Sequence, residues 1–141
     1  MKKMIFPYVK FLVSPARKKP ARYIYRPVIP VRLCLADKVI PFDALVDSGA
    51  DENTFPGWII KALGHDIYRG KEKIFSGIGG SVLSYLHPTR LKVGDVSWIE
   101  DVYYSHEWDD MPFGLLGEAG FFSHFDVHFH YQEKEIILLK K

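Results

Sequence analysis

From Ile67 to Val102 the chain alternates short strand-like runs with turn signals, at Gly70, the Gly77–Gly80 cluster, Pro88 and Gly94-Asp95. Runs this short and this regularly broken are strands joined by turns, so the pattern is all-β. The flanking segments agree. Val31, Leu33 and Leu35 alternate with Arg32 and Cys34, Ala36-Asp37-Lys38 makes a turn, and a second strand follows from Val39 to Val46. At the far end, Asp126–Tyr131, the turn Gln132-Glu133-Lys134 and Glu135–Leu139 form a closing hairpin. One or two short helices interrupt the strands. Thr54–Gly64 has Pro56 in its first turn and Gly64 at its stop, and Glu118–Phe125 has aromatic residues spaced to pack on a sheet.

At 141 residues the chain fits one domain with a sizeable core and is too short for two lobes. Its charge is unevenly spread. Residues 1–30 hold eight basic residues and no acid, which leaves eleven basic against seventeen acidic residues and a net charge of −6 in residues 31–141. The division is a basic N-terminal arm, 1–30, made of an edge strand and a linker, and a folded domain, 31–141. In the arm, Ile5–Val13 is strand-like with Pro7 confining it to an edge, and Ser14–Arg22 is an exposed linker. The arm is expected to be solvated or to dock on the acidic body, and without aromatic stacking around a groove it does not point to nucleic acid.

Cys34 is the only cysteine, so no internal disulfide forms, and its place in a strand pattern makes it a small strand residue. Pro7 and Lys10 break the apolar run after Lys2-Lys3, so a signal peptide is not expected. No run approaches the roughly 18 apolar residues of a membrane span. The default expectation is cytoplasmic, with no membrane partner.

Chemistry is concentrated in Phe42–Thr54. An apolar strand ends at Val46 and runs into Asp47-Ser48-Gly49-Ala50-Asp51. Gly49 lets a backbone amide approach the Asp47 carboxylate, and Ser48 supplies a hydroxyl that can bond to a neighbouring loop. Taken alone, this motif is also that of an Asp capping a turn.

Two further segments follow it, Ser76-Gly77-Ile78-Gly79-Gly80-Ser81 and Phe113-Gly114-Leu115-Leu116-Gly117. In this order the three resemble the active-site loop, the flap tip and the apolar-apolar-Gly segment of the retropepsin-like aspartic peptidases. The resemblance spans Val31 to about Leu139. It implies an all-β, retropepsin-like closed barrel or sandwich with one or two short helices, assembled as a C2 homodimer. It also implies an aspartic endopeptidase acting on polypeptide with no cofactor and no metal. Asp47 would be the catalytic acid, within an active-site loop of Ser48, Gly49 and Ala50. Asp51, Ile78, Gly79, Gly80, Leu115 and Leu116 would contact substrate.

One Asp per chain cannot both take a proton from water and polarise the scissile carbonyl. A symmetric dimer supplies the second acid. The resemblance breaks at one place. Many relatives carry an Arg after the second Gly, able to pair with the acid that follows the active-site loop; here that position is Glu118 and the acid is Asp51. A basic residue of the arm is expected between them, unless the loop is arranged differently. The alternative function is a non-catalytic binding or assembly module.

Other readings are weaker. The Gly77–Gly80 cluster is not followed by the Lys and Ser or Thr of a phosphate loop. His128 and His130 share a strand face at i and i+2 but lack further ligands, so they are read as structural or exposed residues.

Overall fold

The computed structural model describes residues 2–13, 20–77 and 80–141. The strand-like run at the N-terminus is split between two sheets. β1 (Lys3–Pro7) pairs antiparallel with the last strand of the chain, β12 (Glu135–Lys140), while β2 (Val9–Val13) pairs with β3 (Arg22–Arg26) as a separate two-stranded ribbon. Pro7 has no N–H to continue a ladder, and Tyr8 between the strands donates its N–H to Lys134 O at 2.8 Å. Most of the expected linker, residues 14–19, lies outside the described residues.

Six strands then close a mixed barrel. β4 (Val28–Leu35) and β5 (Lys38–Val46) form a hairpin whose turn places Ala36 at φ 52°. Val31 and Leu33 of β4 are buried and Arg32 between them is exposed, as the period of two requires. Next come β6 (Asn53–Pro56), β7 (Lys71–Gly77), β8 (Gly80–Val93), β9 (Val96–Ser105) and β10 (Gly114–Leu116). Around the ring the order is β4-β5-β10-β6-β9-β8, and β8 returns to β4 through Arg32↔Lys92, Leu33↔Leu91 and Cys34↔Arg90. Closure leaves no free edge within the ring. β7 extends outward from β8 as a seventh strand.

Ile29, Leu33, Phe55, Leu91, Tyr104 and Leu116 fill the interior, each fully buried. The Tyr104 hydroxyl bonds Thr89 Oγ1 at 2.9 Å, and burial pushes its ionisation far above the ordinary tyrosine range. A third sheet, β1-β12-β11 with β11 (Phe125–His130), covers one end of the core with Ile136 and Leu138.

The helix expected over Thr54–Gly64 is shorter. Residues 53–56 are strand β6, pairing in parallel with Val102–Ser105, and α1 covers only Gly57–Ala62. Pro56 is therefore the residue before the helix, at ψ 142°, and offers no side-chain cap. Asp109 supplies the cap from fifty-one residues away, accepting the Trp58 N–H at 3.0 Å while its other oxygen bonds His106 Nδ1 at 2.7 Å. Gly64 ends the segment at φ 96°. Glu118–Phe122 forms one widened helical turn, and β11 begins at Phe125.

Candidate active site

β5 ends at Val46 and hands the chain to Asp47, which is half-buried beside the exposed Ser48 and Gly49. The loop folds back on this carboxylate: the Gly49 N–H donates to Asp47 Oδ1 at 2.9 Å, and the Ala50 N–H donates to the Asp47 carbonyl at 3.1 Å. A Cβ on Gly49 would stand 3.2 Å from that oxygen. A larger residue would push the acid from its place.

The loop is held from beneath by β10, which lies between the two strands that flank it. Leu115 pairs in parallel with Leu45 and antiparallel with Thr54. β5 and β6 thus never touch as a ladder; the chain leaves β5, makes the Asp47 loop, and returns on the other side of β10. Main-chain bonds follow the loop residue by residue. The Asp47 N–H donates to Leu116 O at 3.0 Å, the Glu118 N–H to Ala50 O at 2.9 Å, and the Ala119 N–H to Asp51 O at 3.0 Å.

Gly117 sits at the closest approach. A Cβ there would lie 2.6–2.7 Å from backbone atoms of Ala50 and Glu52. Its N–H donates to Asn53 Oδ1 at 3.0 Å. Asn53 is fully buried, and its Nδ2 has no partner among the described residues. Sequence reasoning missed this residue. Its one signal is an amide in a segment otherwise headed into the core.

Beside the loop lies a cleft of about 170 Å³, lined by Gly49, Ala50, Asp51, Glu52, Thr54 and Leu115 from the loop and its support. Phe75, Ser76 and Val82 of the β7–β8 hairpin and Trp108 form the opposite wall. The hairpin ends at the pair Gly77↔Gly80, with Gly80 at φ 127°. Its strands are tied across by Ser76 Oγ and Ser81 Oγ at 3.3 Å. Glu52 at the cleft pairs with Lys73 of β7 at 3.6 Å, and the Lys73 ammonium lies over the rings of Phe75 and Tyr103. None of Thr54, Phe75, Val82 and Trp108 stood out in the sequence as a site residue.

Of the residues expected at substrate, Asp51 and Leu115 line this cleft, beside Ala50 of the expected active-site loop, and Gly80 stands at the hairpin end. Ile78 and Gly79 lie outside the described residues. Leu116 is a correction: its side chain is fully buried in the core, because successive strand residues point to opposite faces and Leu115 takes the cleft. Its contribution to the site is the carbonyl that holds Asp47.

Arg17, Lys18 and Lys19 of the arm, from which the cation expected between Asp51 and Glu118 could come, lie outside the described residues. Both acids are exposed, and among the described residues neither has an ion pair. Backbone bonds order this part of the loop instead, and Lys2 of the arm pairs with Asp95. His128 and His130 are exposed, and no group of three or more His, Cys, Asp or Glu side chains among the described residues is gathered to hold a metal. No helix among these residues is long and apolar enough to cross a membrane. The chain matches no protein-family model, and no curated protein matches its sequence.

Proposed function

We propose that this chain is a retropepsin-like aspartic endopeptidase that works as a homodimer, with Asp47 of each protomer supplying half of a catalytic pair. The observation that carries the reading is the placement of Asp47. An Asp-Ser-Gly loop is seated on a strand inserted between the loop's own two flanking strands, with the acid oxygen bonded to the Gly49 amide. A carboxylate merely capping a turn needs no such platform, and it would not stand beside a cleft roofed by a hairpin.

In the proposed dimer the two carboxylates meet at the two-fold axis and share one proton, since like charges in contact cannot both ionise, the behaviour of the aspartic-protease dyads from which the rule is drawn. The charged member takes a proton from water, and the protonated member donates to the scissile carbonyl oxygen as water attacks its carbon. In that dimer the exposed Ser48 bonds across the axis. The β7–β8 hairpin closes over an extended peptide and excludes bulk water, while Ala50, Thr54, Phe75, Val82, Trp108 and Leu115 form its mostly apolar bed.

A non-catalytic binding module is the competing reading, favoured by Asp51 and Glu118 having no ion pair among the described residues. One experiment separates them. Asp47→Asn should fold and dimerise like the wild type and hydrolyse nothing. When wild-type and mutant chains exchange at fixed total concentration, activity should fall as the square of the wild-type fraction. A linear fall after verified exchange would refute the shared pair, and a wild type inert towards every unfolded substrate would favour the binding module.

A further inference from the structure

We propose that the β2–β3 hairpin is a clasp that docks on the acidic body of a second copy of this chain. Among the described residues the hairpin pairs only with itself, and an isolated two-stranded ribbon is at best marginally stable in water. Its own domain anchors one side of it. Phe11 stands edge-on to Phe113, with ring centroids 5.6 Å apart, and the Arg26 guanidinium lies over both rings at 5.0 and 5.9 Å. Beyond that anchor, large apolar side chains are left in solvent: Leu12 is 57% exposed, Tyr23 51% and Ile24 41%. Leu12 and Tyr23 are cross-strand partners, and the neighbouring Lys10 places its ammonium 4.2 Å from the Tyr23 ring centre.

Charge decides the occupant. The arm carries eight basic residues and no acid, and the rest of the chain has a net charge of −6. On the body, Asp51, Glu72, Asp101, Asp110 and Glu118 are exposed and have no ion pair among the described residues. Two hairpins face to face would set Lys10, Arg22 and Arg26 against their own copies. A hairpin on a partner's body instead matches opposite charges and covers the apolar side chains. Reciprocal exchange of two arms also closes the contact with two-fold symmetry. The inference goes beyond the shared Asp47 pair, from which it takes only the existence of a homodimer.

The test is sedimentation equilibrium of the full chain and of a Leu12→Ser/Tyr23→Ser variant. Both side chains are exposed, so far-UV circular dichroism should be unchanged, while the dimer dissociation constant should rise about tenfold or more, the scale of losing two buried apolar groups. Added salt should weaken the wild-type dimer. As a check independent of the variant's folding, a photo-crosslinking amino acid at Ile24 should yield a covalent dimer whose second attachment maps to the body, residues 31–141. An unchanged dissociation constant, crosslinks confined to one chain, or a hairpin that captures a labelled oligonucleotide without affecting dimerisation would overturn the clasp. The peptidase reading fails separately: an inert wild type that still dimerises through the hairpin leaves the clasp standing.

Discussion

The Glu107 carboxylate accepts the backbone N–H of Leu83 at 2.7 Å, and the Ser105 hydroxyl donates to the carbonyl of the same residue at 2.7 Å. These two side chains take over where β8 parts from β9, whose last paired residues are Tyr85 and Tyr104. Beyond Leu83 the described part of the hairpin over the cleft is held by its own ladder and by Phe75, which packs edge-on to Tyr103 with ring centroids 5.2 Å apart. The Leu83 clamp thus anchors the base of the hairpin.

Replacing Glu107 by Ala should loosen the base of the hairpin without unfolding the barrel. A hydrogen bond to a charged group contributes about 1.5–3 kcal/mol when well shielded, and exposure reduces this to roughly 1 kcal/mol. Amide exchange at Leu83 should quicken about fivefold with little change in the global melting temperature. Unaltered protection at Leu83 would show that the Glu107 carboxylate contributes little to holding this amide.

Asn53→Ala should cost about 1–3 kcal/mol, the penalty for leaving the buried Gly117 N–H without an acceptor. Because that amide lies under the Asp47 loop, the proposed peptidase activity should fall along with stability. Urea denaturation showing a loss below about 0.5 kcal/mol would mean that the bond contributes little.

Two glycines should respond for different reasons. Gly117→Ala places a methyl group against loop backbone that cannot yield, and overpacking of this kind costs about 1–3 kcal/mol; activity should be largely lost. Gly80→Ala meets no atom within 4 Å but sits at φ 127°, so its cost is backbone strain of about 1–3 kcal/mol, confined to the hairpin. Chemical denaturation together with a peptide-cleavage assay separates the two.

Cleavage of an unfolded protein should follow a bell in pH with an acidic to near-neutral optimum, because a pair sharing one proton works only when singly protonated. Chelators should leave the rate unchanged. A rate that climbs steadily into the alkaline range would require a different nucleophile.

The hydrogen bond from Lys2 holds the Asp95 carboxyl below the usual carboxylate range. A depressed folded-state value makes this contribution present above the unfolded value and lost as pH falls through the folded one. Lys2→Met should therefore lower the thermal midpoint slightly at neutral pH and not in strong acid below the folded-state value, where both states are protonated. An equal drop at both would place the effect of Lys2 in its main chain or its packing.

Much of the barrel was legible because its hairpins are local. The alternation of Val31, Leu33 and Leu35 and the turn at Ala36-Asp37-Lys38 require nothing from the rest of the chain, and the Asp47 loop could be read from Val46 to Gly49. What escaped was set by distant partners. Residues 54–56 look like a helix start until Tyr103–Ser105 pairs with them. The run Ile5–Val13 looks continuous until Tyr8 is claimed by Lys134. Asn53 looks like a loop amide until the Gly117 N–H arrives from sixty-four residues away, and Leu115 and Leu116 are equivalent until the pleat assigns one to the cleft and the other to the core.

The insertion of β10 between β5 and β6 also orders events in time. The chain is made from its N-terminus, so the Asp47 loop exists for some seventy residues of synthesis before the strand that seats it. Until Gly117 has emerged, Asp47 has no Leu116 carbonyl to hold its amide and Asn53 has no amide to receive. Under the proposed mechanism, a ribosome-bound fragment ending before β10 would carry the acid without its support, and so could not cut the chains growing beside it.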